Sequence, residues 1–390
     1  MYDVKMNDRT APLYLRVLIY VYFFLEFFEP YLNMVVGSYT KYYLILLILA
    51  LVQYYGFKVK KDGIAISFFL WFIYKCITII WCKNMYIPQL HFFTNLTAVI
   101  LLYLLGMYPL DRVTLDGITK SLWLGSGAIG VLSLFSNAPY LGVPNRIVLK
   151  LFGVTVDPNN DAAFLAVGIA ISLYYVVSQN KGFTIKLISI ISILINTYAL
   201  FLTGSRGGLL TEIAIISVLA LFYIQKGRHK LFFILGLVLI LFSLNYLIQN
   251  YLPKDIYYRL FEVSTYEGGS ERTEIWGNAF ELMRSNILFY LFGAGWGSYY
   301  GYNGYYVVMH NTFISMMCDT GIIGLLLFYS PIVKATKYLY KEKCILPLLL
   351  LVAGFVPSFF LEAINKRFFW NAVIFLLMFY KFQSNQEYME

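Results

Sequence analysis

The chain has 390 residues, 60% of them hydrophobic and only 13% charged, with a formal net charge of +9. So little polar surface cannot cover a water-soluble fold of this length, which points to a polytopic membrane protein. The surplus of basic residues is spread among short segments between apolar runs, so no nucleic-acid partner is expected.

Apolar runs approaching the ~20 residues that cross a bilayer recur along the whole chain. Twelve are expected, at roughly 12–29, 32–54, 64–82, 91–108, 120–136, 161–178, 185–203, 207–225, 230–248, 311–330, 344–360 and 367–381. The first run lacks a small-residue cleavage site and is too long for a signal-peptide core, so it is expected to remain as the first span. Connections as short as Glu29-Pro30 and Gly204-Ser205 force neighbouring helices to run antiparallel. The expected fold is all-α: one integral membrane domain over residues 1–390, with about twelve transmembrane helices. Cys76, Cys82, Cys318 and Cys344 lie in or beside the runs without paired spacing, so neither a disulfide framework nor a metal knuckle is indicated.

Placing the N-terminus inside puts seventeen of the thirty basic residues on one face, all in short loops or tails. The other face receives seven in short segments: Lys41, Lys83, Arg146, Lys150, Arg206, Lys366 and Arg367. This asymmetry fits the positive-inside rule, so both termini are expected in the cytoplasm. The turn at Arg206 and the loop 249–310 between spans 9 and 10 then face outward.

Asp157-Pro158-Asn159-Asn160-Asp161-Ala162-Ala163 precedes the sixth run, and Thr203-Gly204-Ser205-Arg206-Gly207-Gly208 separates the seventh from the eighth. An arginine at the centre of a span costs about 2.5–3.5 kcal/mol, less at its boundary, and residues kept at such a cost tend to face cavities. Arg206 therefore reads either as a ligand-facing cation or as a surface charge at a short turn. Gly207 and Gly208 each cost about 1 kcal/mol relative to alanine inside a helix, which suggests close packing or backbone approach to a ligand. Glu212, six residues further on, reads as a buried partner or half of a structural ion pair.

The outer loop runs about 60 residues, a length that usually signals function or disorder. Within it Ser270 is placed to cap a helix carrying Glu271 and Glu274 in its first turn. Ile275, Trp276, Ala279, Phe280, Met283 and Ile287 follow helical spacing, so an amphipathic helix is expected. Arg272 projects near its apolar face, either to meet a ligand or to snorkel toward headgroups. Arg259 and Arg284 are further cations of the loop. Phe292-Gly293-Ala294-Gly295-Trp296-Gly297 permits close backbone approach, with a phosphate nest as a weak reading. The tyrosines at 299, 300, 302, 305 and 306 suit sugar stacking or an interfacial aromatic belt.

His310-Asn311 stands where the loop returns to the membrane. Either residue can cap the following helix, which would hold the histidine at the mouth of the bundle. Its near-neutral pKa suits general-base work. His91 and His229 complete the set; with three scattered histidines no metal site is supported, and no cofactor is implied.

In this order, the Gly-Ser-Arg turn, Arg272-x-x-x-Trp276, Gly-Ala-Gly-Trp-Gly, His310-Asn311-Thr312-Phe313 and Asp319-Thr320-Gly321-Ile322-Ile323-Gly324 resemble the O-antigen polymerase and ligase superfamily. The stretch from Asp157 to Ala163 is similar to the asparagine-containing start of a span seen in many members. The resemblance covers residues 155–330 by motif and the remainder by topology. It implies a metal-independent glycosyltransferase of the integral-membrane GT-C type, working outside the bacterial cytoplasmic membrane on undecaprenyl-diphosphate-linked oligosaccharides, for O-antigen or capsule synthesis. It also implies diphosphate binding by Arg206 and Arg272, a catalytic His310, and support from Ser205, Asn311, Trp276, Arg284 and Arg259. Membrane lipid is an implied partner, and a chain-length regulator protein is compatible with it. Tyrosine and phenylalanine content and chain length look more like the divergent polymerases than the ligases, which transfer glycan to lipid A core. A flippase or other transporter is the rival class, but no repeated halves with interrupted helices are evident.

Overall fold

The computed structural model describes residues 11–37, 39–56, 62–106, 110–140, 143–226, 246, 249–250, 252–261 and 272–387. The described chain is overwhelmingly helical, as a bilayer requires, because hydrocarbon offers no partner for a backbone N–H or C=O. Helices α1 (Leu13–Leu25), α2 (Glu29–Val36), α3 (Tyr39–Tyr55), α4 (Gly63–Ile77), α5 (Tyr86–Gly106) and α6 (Arg112–Phe135) form the first half. After a small sheet come α7 (Pro158–Val177), α8 (Phe183–Leu202) and α9 (Arg206–Lys226). Then follow α10 (Lys254–Phe261), α11 (Arg272–Arg284), α12 (Leu288–Phe292), α13 (Thr312–Lys341), α14 (Ile345–Phe355) and α15 (Arg367–Glu387). Among the described residues seven helices are long and apolar enough to cross a membrane, or eight if α2 and α3 form one bent span.

Three expected spans are shorter than their apolar runs. The run 12–29 yields a 13-residue α1, because the chain turns at the buried Glu26, which accepts a bond from Asn371 of α15 (2.6 Å), and restarts at Pro30. The run 32–54 is split where Gly37, at φ 75°, ends α2. The run 344–360 ends as α14 at Phe355 and continues as the 3-10 turn Val356–Phe359, since Pro357 offers no N–H to prolong the helix. The run 230–248, apart from Tyr246, lies outside the described residues, as do the proposed cap Ser270 and Glu271.

A feature not anticipated is an antiparallel sheet of β1 (Asn137–Tyr140), β2 (Val143–Leu151) and β3 (Val154–Thr155), in that order. Asn137 pairs with Leu149 and Pro139 with Ile147. Phe152 and Gly153, both at positive φ, close the β2–β3 hairpin, the geometry whose twist matches that of the strands. Val148 and Leu149 of β2 are buried, and the strand holds Arg146 beside Asn159 at the start of α7.

Helix α7 is the central element, buried along almost its whole length. Asp157 caps it, accepting from Asn159 N at 2.8 Å, and Pro158 supplies preset φ at the first helical position. A Cβ on Gly168 would come within 2.2 Å of Ser126 Oγ on α6 and 2.6 Å of Asn196 Nδ2 on α8, so small residues let three helices approach closely.

Helix α13 is broken at Gly321, whose φ of 61° and ψ of −164° are open to glycine alone. The break is filled by the segment after α12: a Cβ on Gly321 would lie 2.4 Å from Leu291 O, and one on Gly293 2.5 Å from Asp319 O. Beside it, Lys75 of α4 and Asp319 form a buried ion pair at 3.5 Å. Asp319 Oδ1 also accepts from Gly297 N (2.8 Å), and the Lys75 ammonium lies 4.5 Å from the Trp296 ring centroid. The loop after α12 is thereby docked into the bundle. Removing one partner of a buried pair strands the other charge, typically at about 3–5 kcal/mol, whereas replacing both by apolar groups is often close to neutral. Lys75→Met or Asp319→Leu should each lower the thermal unfolding temperature in detergent, and the double variant should recover most of the loss.

Candidate active site

The Thr203–Arg206 turn joins α8 to α9, with Gly204 at φ 60° reversing the chain. Ser205 caps α9, its Oγ accepting from Gly208 N at 3.1 Å while donating to Asn159 Oδ1 at 2.7 Å. A Cβ on Gly207 would lie 2.8 Å from the Phe360 ring and one on Gly208 2.6 Å from Ala162 Cβ. These glycines serve packing: they seat the start of α9 against α7 and the segment after α14. Glu212 is buried and accepts from Thr197 at 2.6 Å, and no ion pair joins it to Arg206.

Arginines from three elements converge on this turn. Arg206 Nε donates to Arg259 O (3.0 Å) and Arg259 Nε to Gly204 O (3.1 Å), a reciprocal clamp between α9 and α10. The Arg206 side chain is exposed. Arg146, from β2, donates Nε to Thr203 O (3.1 Å) and Nη2 to Asn159 Oδ1 (3.2 Å). Burial first, then the Arg259 charge, pull the Arg146 guanidinium down to about 10; Asp157 opposes this and Arg272 adds to it. Arg272, at the start of α11, is held below its usual value by burial, with Asp157 again opposing. Burial depresses both cations, neighbouring guanidiniums add to this at Arg146, and the Asp157 carboxylate offsets the shift in each.

His310 stands at φ 49°, a left-handed conformation that is uncommon for a side chain with a Cβ and that persists where neighbours over-determine it. Here both neighbours are pinned. Trp276 Nε1 donates to Met309 O (3.0 Å) and Met309 N to Glu362 Oε2 (3.3 Å). Asn311 caps α13, accepting from Ile314 N (3.0 Å) and donating to Phe359 O (3.2 Å). Glu362 also accepts from Tyr299 (2.7 Å) and, more weakly, from Ser315 and Asn365. Burial, followed by the Arg272 charge, holds the His310 imidazole below its ordinary value of 6.5, while Asp157 and Glu362 pull the other way. The ring is therefore neutral at pH 7 and able to accept a proton.

Of the residues expected at the site, Arg272 and His310 sit close enough for one charge to act on the other. Arg206 joins the group through the backbone of Arg259. Ser205, Trp276 and Asn311 hold the backbone in place. Arg284 is exposed at the far end of α11, roughly 18 Å from Arg272 at 1.5 Å per residue, and is not brought to the site. Residues 293–299 are buried, so the glycine-rich segment is a packing seam, not a phosphate nest. Several of the following tyrosines are engaged: Tyr299 with Glu362, Tyr300 stacked on Tyr86 with centroids 5.0 Å apart, and Tyr305 with Glu274. The amphipathic helix buries Ile275, Ala279, Leu282 and Met283, whereas Phe280 is exposed and Ile287 lies beyond its end. Among the described residues no three His, Cys, Asp or Glu side chains cluster as metal ligands.

Sequence reasoning did not single out Arg146, Asp157 as a charge partner, or Glu362. Arg146 carried only the weak signal of a cation near an Asp-Pro helix start, and Glu362 that of a lone acid between two apolar runs.

The features together define a predominantly helical, polytopic membrane protein with a group of arginines gathered at one turn and a histidine within reach of the Arg272 charge. Residues 190–329 match the Wzy_C family model, described as O-antigen ligase, a match that supports the likeness to the O-antigen polymerase and ligase superfamily. Arg206, Arg272 and His310 fall within the match; Arg146, Asp157 and Glu362 fall outside it. No curated protein matches the chain.

The electrostatics give a direct check. Arg272→Met keeps the bulk and removes the charge that disfavours imidazolium, so the His310 titration followed by NMR should move up toward 6.5. An unchanged midpoint would separate the two residues.

Proposed function

We propose that the protein is a polysaccharide polymerase of this superfamily, transferring a growing glycan from undecaprenyl diphosphate to a lipid-linked repeat unit outside the cytoplasmic membrane. The observation that carries the reading is the placing of a conformationally held His310, its imidazole pushed toward the neutral form, within reach of the Arg272 charge and beside the turn where Arg146 and Arg206 meet.

A lipid-diphosphate leaving group accumulates negative charge as the bond from the anomeric carbon to phosphate oxygen breaks. Planar guanidiniums meet such oxygens bidentately, each charged hydrogen bond contributing about 1.5–3 kcal/mol. Arg272, with Arg146 and Arg206 at the neighbouring turn, supplies that grip. His310 takes the proton from the attacking hydroxyl of the acceptor sugar, the hydroxyl oxygen bonds to the anomeric carbon from the opposite face, and the lipid diphosphate departs unprotonated. The anomeric centre is inverted, and the GT-C type is the class that the family resemblance implies. The large burial around Met309 and Glu362 keeps the base oriented without touching its ring.

Removing a general base usually costs about 10²–10⁴-fold in rate, so His310→Ala should lose that much chain extension while remaining folded in the membrane. Arg272→Ala and Arg206→Ala should also impair it, and Arg206→Lys should not restore it, since an ammonium lacks the guanidinium fork. Because protonation disables the base, the rate should fall as pH drops through a midpoint below 6.5, and Arg272→Met should shift that acid limb upward. Purified protein given lipid-linked oligosaccharide decides the reaction: self-extension supports the polymerase. Transfer only to lipid A core would make it a ligase, the activity named in the matching family description.

A further inference from the structure

A cation-rimmed cavity opens beside the α7 N-terminus. Its volume is about 460 Å³, and it lies among α1, α2, α3, α5, α7 and α15. Its polar end carries Lys41, Lys366 and Arg367, with Glu26 and Glu29 as the facing acids. Glu29 is already committed, paired with Arg367 at 2.9 Å and bonded to Thr40 at 3.3 Å. Glu26 is engaged by Asn371. Lys41 and Lys366 are exposed.

Asn160 also lines the cavity. It is 7% exposed, and its Oδ1 has no hydrogen-bond partner among the described residues. Consecutive residues of one helix start thus serve two places: Asn159 turns to Arg146 and Ser205, Asn160 to the cavity. The orphaned atom is an acceptor, so it calls for a donor such as a hydroxyl on an occupant and not for a phosphate oxygen.

Below this rim the walls are apolar: Leu44 and Ile45 of α3, Phe93 and Leu101 of α5, Phe164 and Ile374. Phe93 to Leu101 alone covers roughly 12 Å along the helix axis at 1.5 Å per residue. Ile45 and Phe93 are exposed, so the cavity is open sideways between α3 and α5, on the surface that a membrane would surround. A cationic, hydrogen-bonding end above a long apolar slot open to lipid fits one occupant class, a phosphorylated lipid with its tail in the slot. Position adds to this. Asn365 of the rim donates to Glu362 at 3.3 Å, the residue that holds Met309, and the Lys366 charge reaches His310.

We propose that this cavity binds the lipid phosphate of the acceptor substrate, so that donor and acceptor lipids both approach His310 beside the α7 N-terminus. The acceptor assignment rests on the polymerase reading; the lipid-phosphate site itself does not. Lys41, Lys366 and Arg367 take the phosphate oxygens, and the α3–α5 opening admits the tail.

The test uses the full-length protein in nanodiscs of phosphatidylethanolamine and phosphatidylglycerol, with a sugar-free undecaprenyl diphosphate bearing a photoreactive tail. Labelling is expected on peptides from α3, α5 and α15, erased by excess unlabelled undecaprenyl diphosphate but not by inorganic diphosphate or added phosphatidylglycerol. The double variant Lys41→Glu/Lys366→Glu should lower that labelling about tenfold or more, as expected for loss of two charge-assisted contacts. Ala98→Phe, which fills the slot without touching the rim, should lower it similarly, and gel filtration verifies that each variant is folded. Labelling that survives both variants, or that phosphatidylglycerol removes as readily, would identify ordinary surrounding lipid and overturn the proposal. Competition by inorganic diphosphate alone would overturn it too, reducing the site to an anion pocket. His310→Ala should label like the wild type, since the readout needs no turnover. Failure of chain extension therefore tells against the polymerase reading, and failure of labelling against this site.

Discussion

The buried pair of Lys75 and Asp319 is the constraint from which the site's architecture follows. Two charges removed from water repay their desolvation only with good geometry and further hydrogen bonds, and here a backbone N–H and an indole face complete the shell. That requirement holds the segment after α12 in the notch where α13 breaks. The same segment leads through Tyr299 to Glu362 and on to Met309. A polar pair inside an apolar bundle thus anchors the loop that presents His310.

Strain and support are divided along this path. His310 has the unfavourable backbone conformation, while Trp276, Glu362, Asn311 and Phe359 supply the bonds that keep its neighbours fixed. The imidazole itself is left for chemistry, shaped by burial and by the charge of Arg272. On the facing side Arg146, Arg206 and Arg259 spend some donors on backbone carbonyls of the α8–α9 and α10 segments. Such bonds fix the orientation of a guanidinium and reduce its rotamer freedom. The start of α7 contributes to both places: Asn159 bonds to Arg146 and Ser205, and Asn160 lines the cavity rimmed by Lys41, Lys366 and Arg367.

Much of the helical framework was legible because the bilayer imposes a single solution, and hydropathy records where that solution is needed. The starts of α7 and α9 fall three and one residues before the runs expected at 161 and 207, where Asp157 and Ser205 cap them. Arg206, Arg272 and His310 stood out as polar residues beside apolar runs. The breaks at Gly37 and Gly321 and the β hairpin carrying Arg146 were not legible, because each depends on partners far along the chain. The glycine-rich segment at 293–297 reads locally as a ligand loop, yet its glycines answer to the backbone of Asp319 and to Cys82 and Ile87.

By itself the sequence determined a predominantly helical membrane protein, the superfamily motifs and the chemical types at the site, because these rest on hydrophobicity, capping and side-chain identity, all local properties. Tertiary structure alone decided that Arg272 acts on His310 while Arg284 does not, that Glu362 holds the histidine's neighbour, and that Arg146 joins the cluster. Those outcomes are set by distances between residues remote in sequence, and electrostatic and hydrogen-bond energies fall away over a few ångströms, a scale on which composition and spacing carry no information.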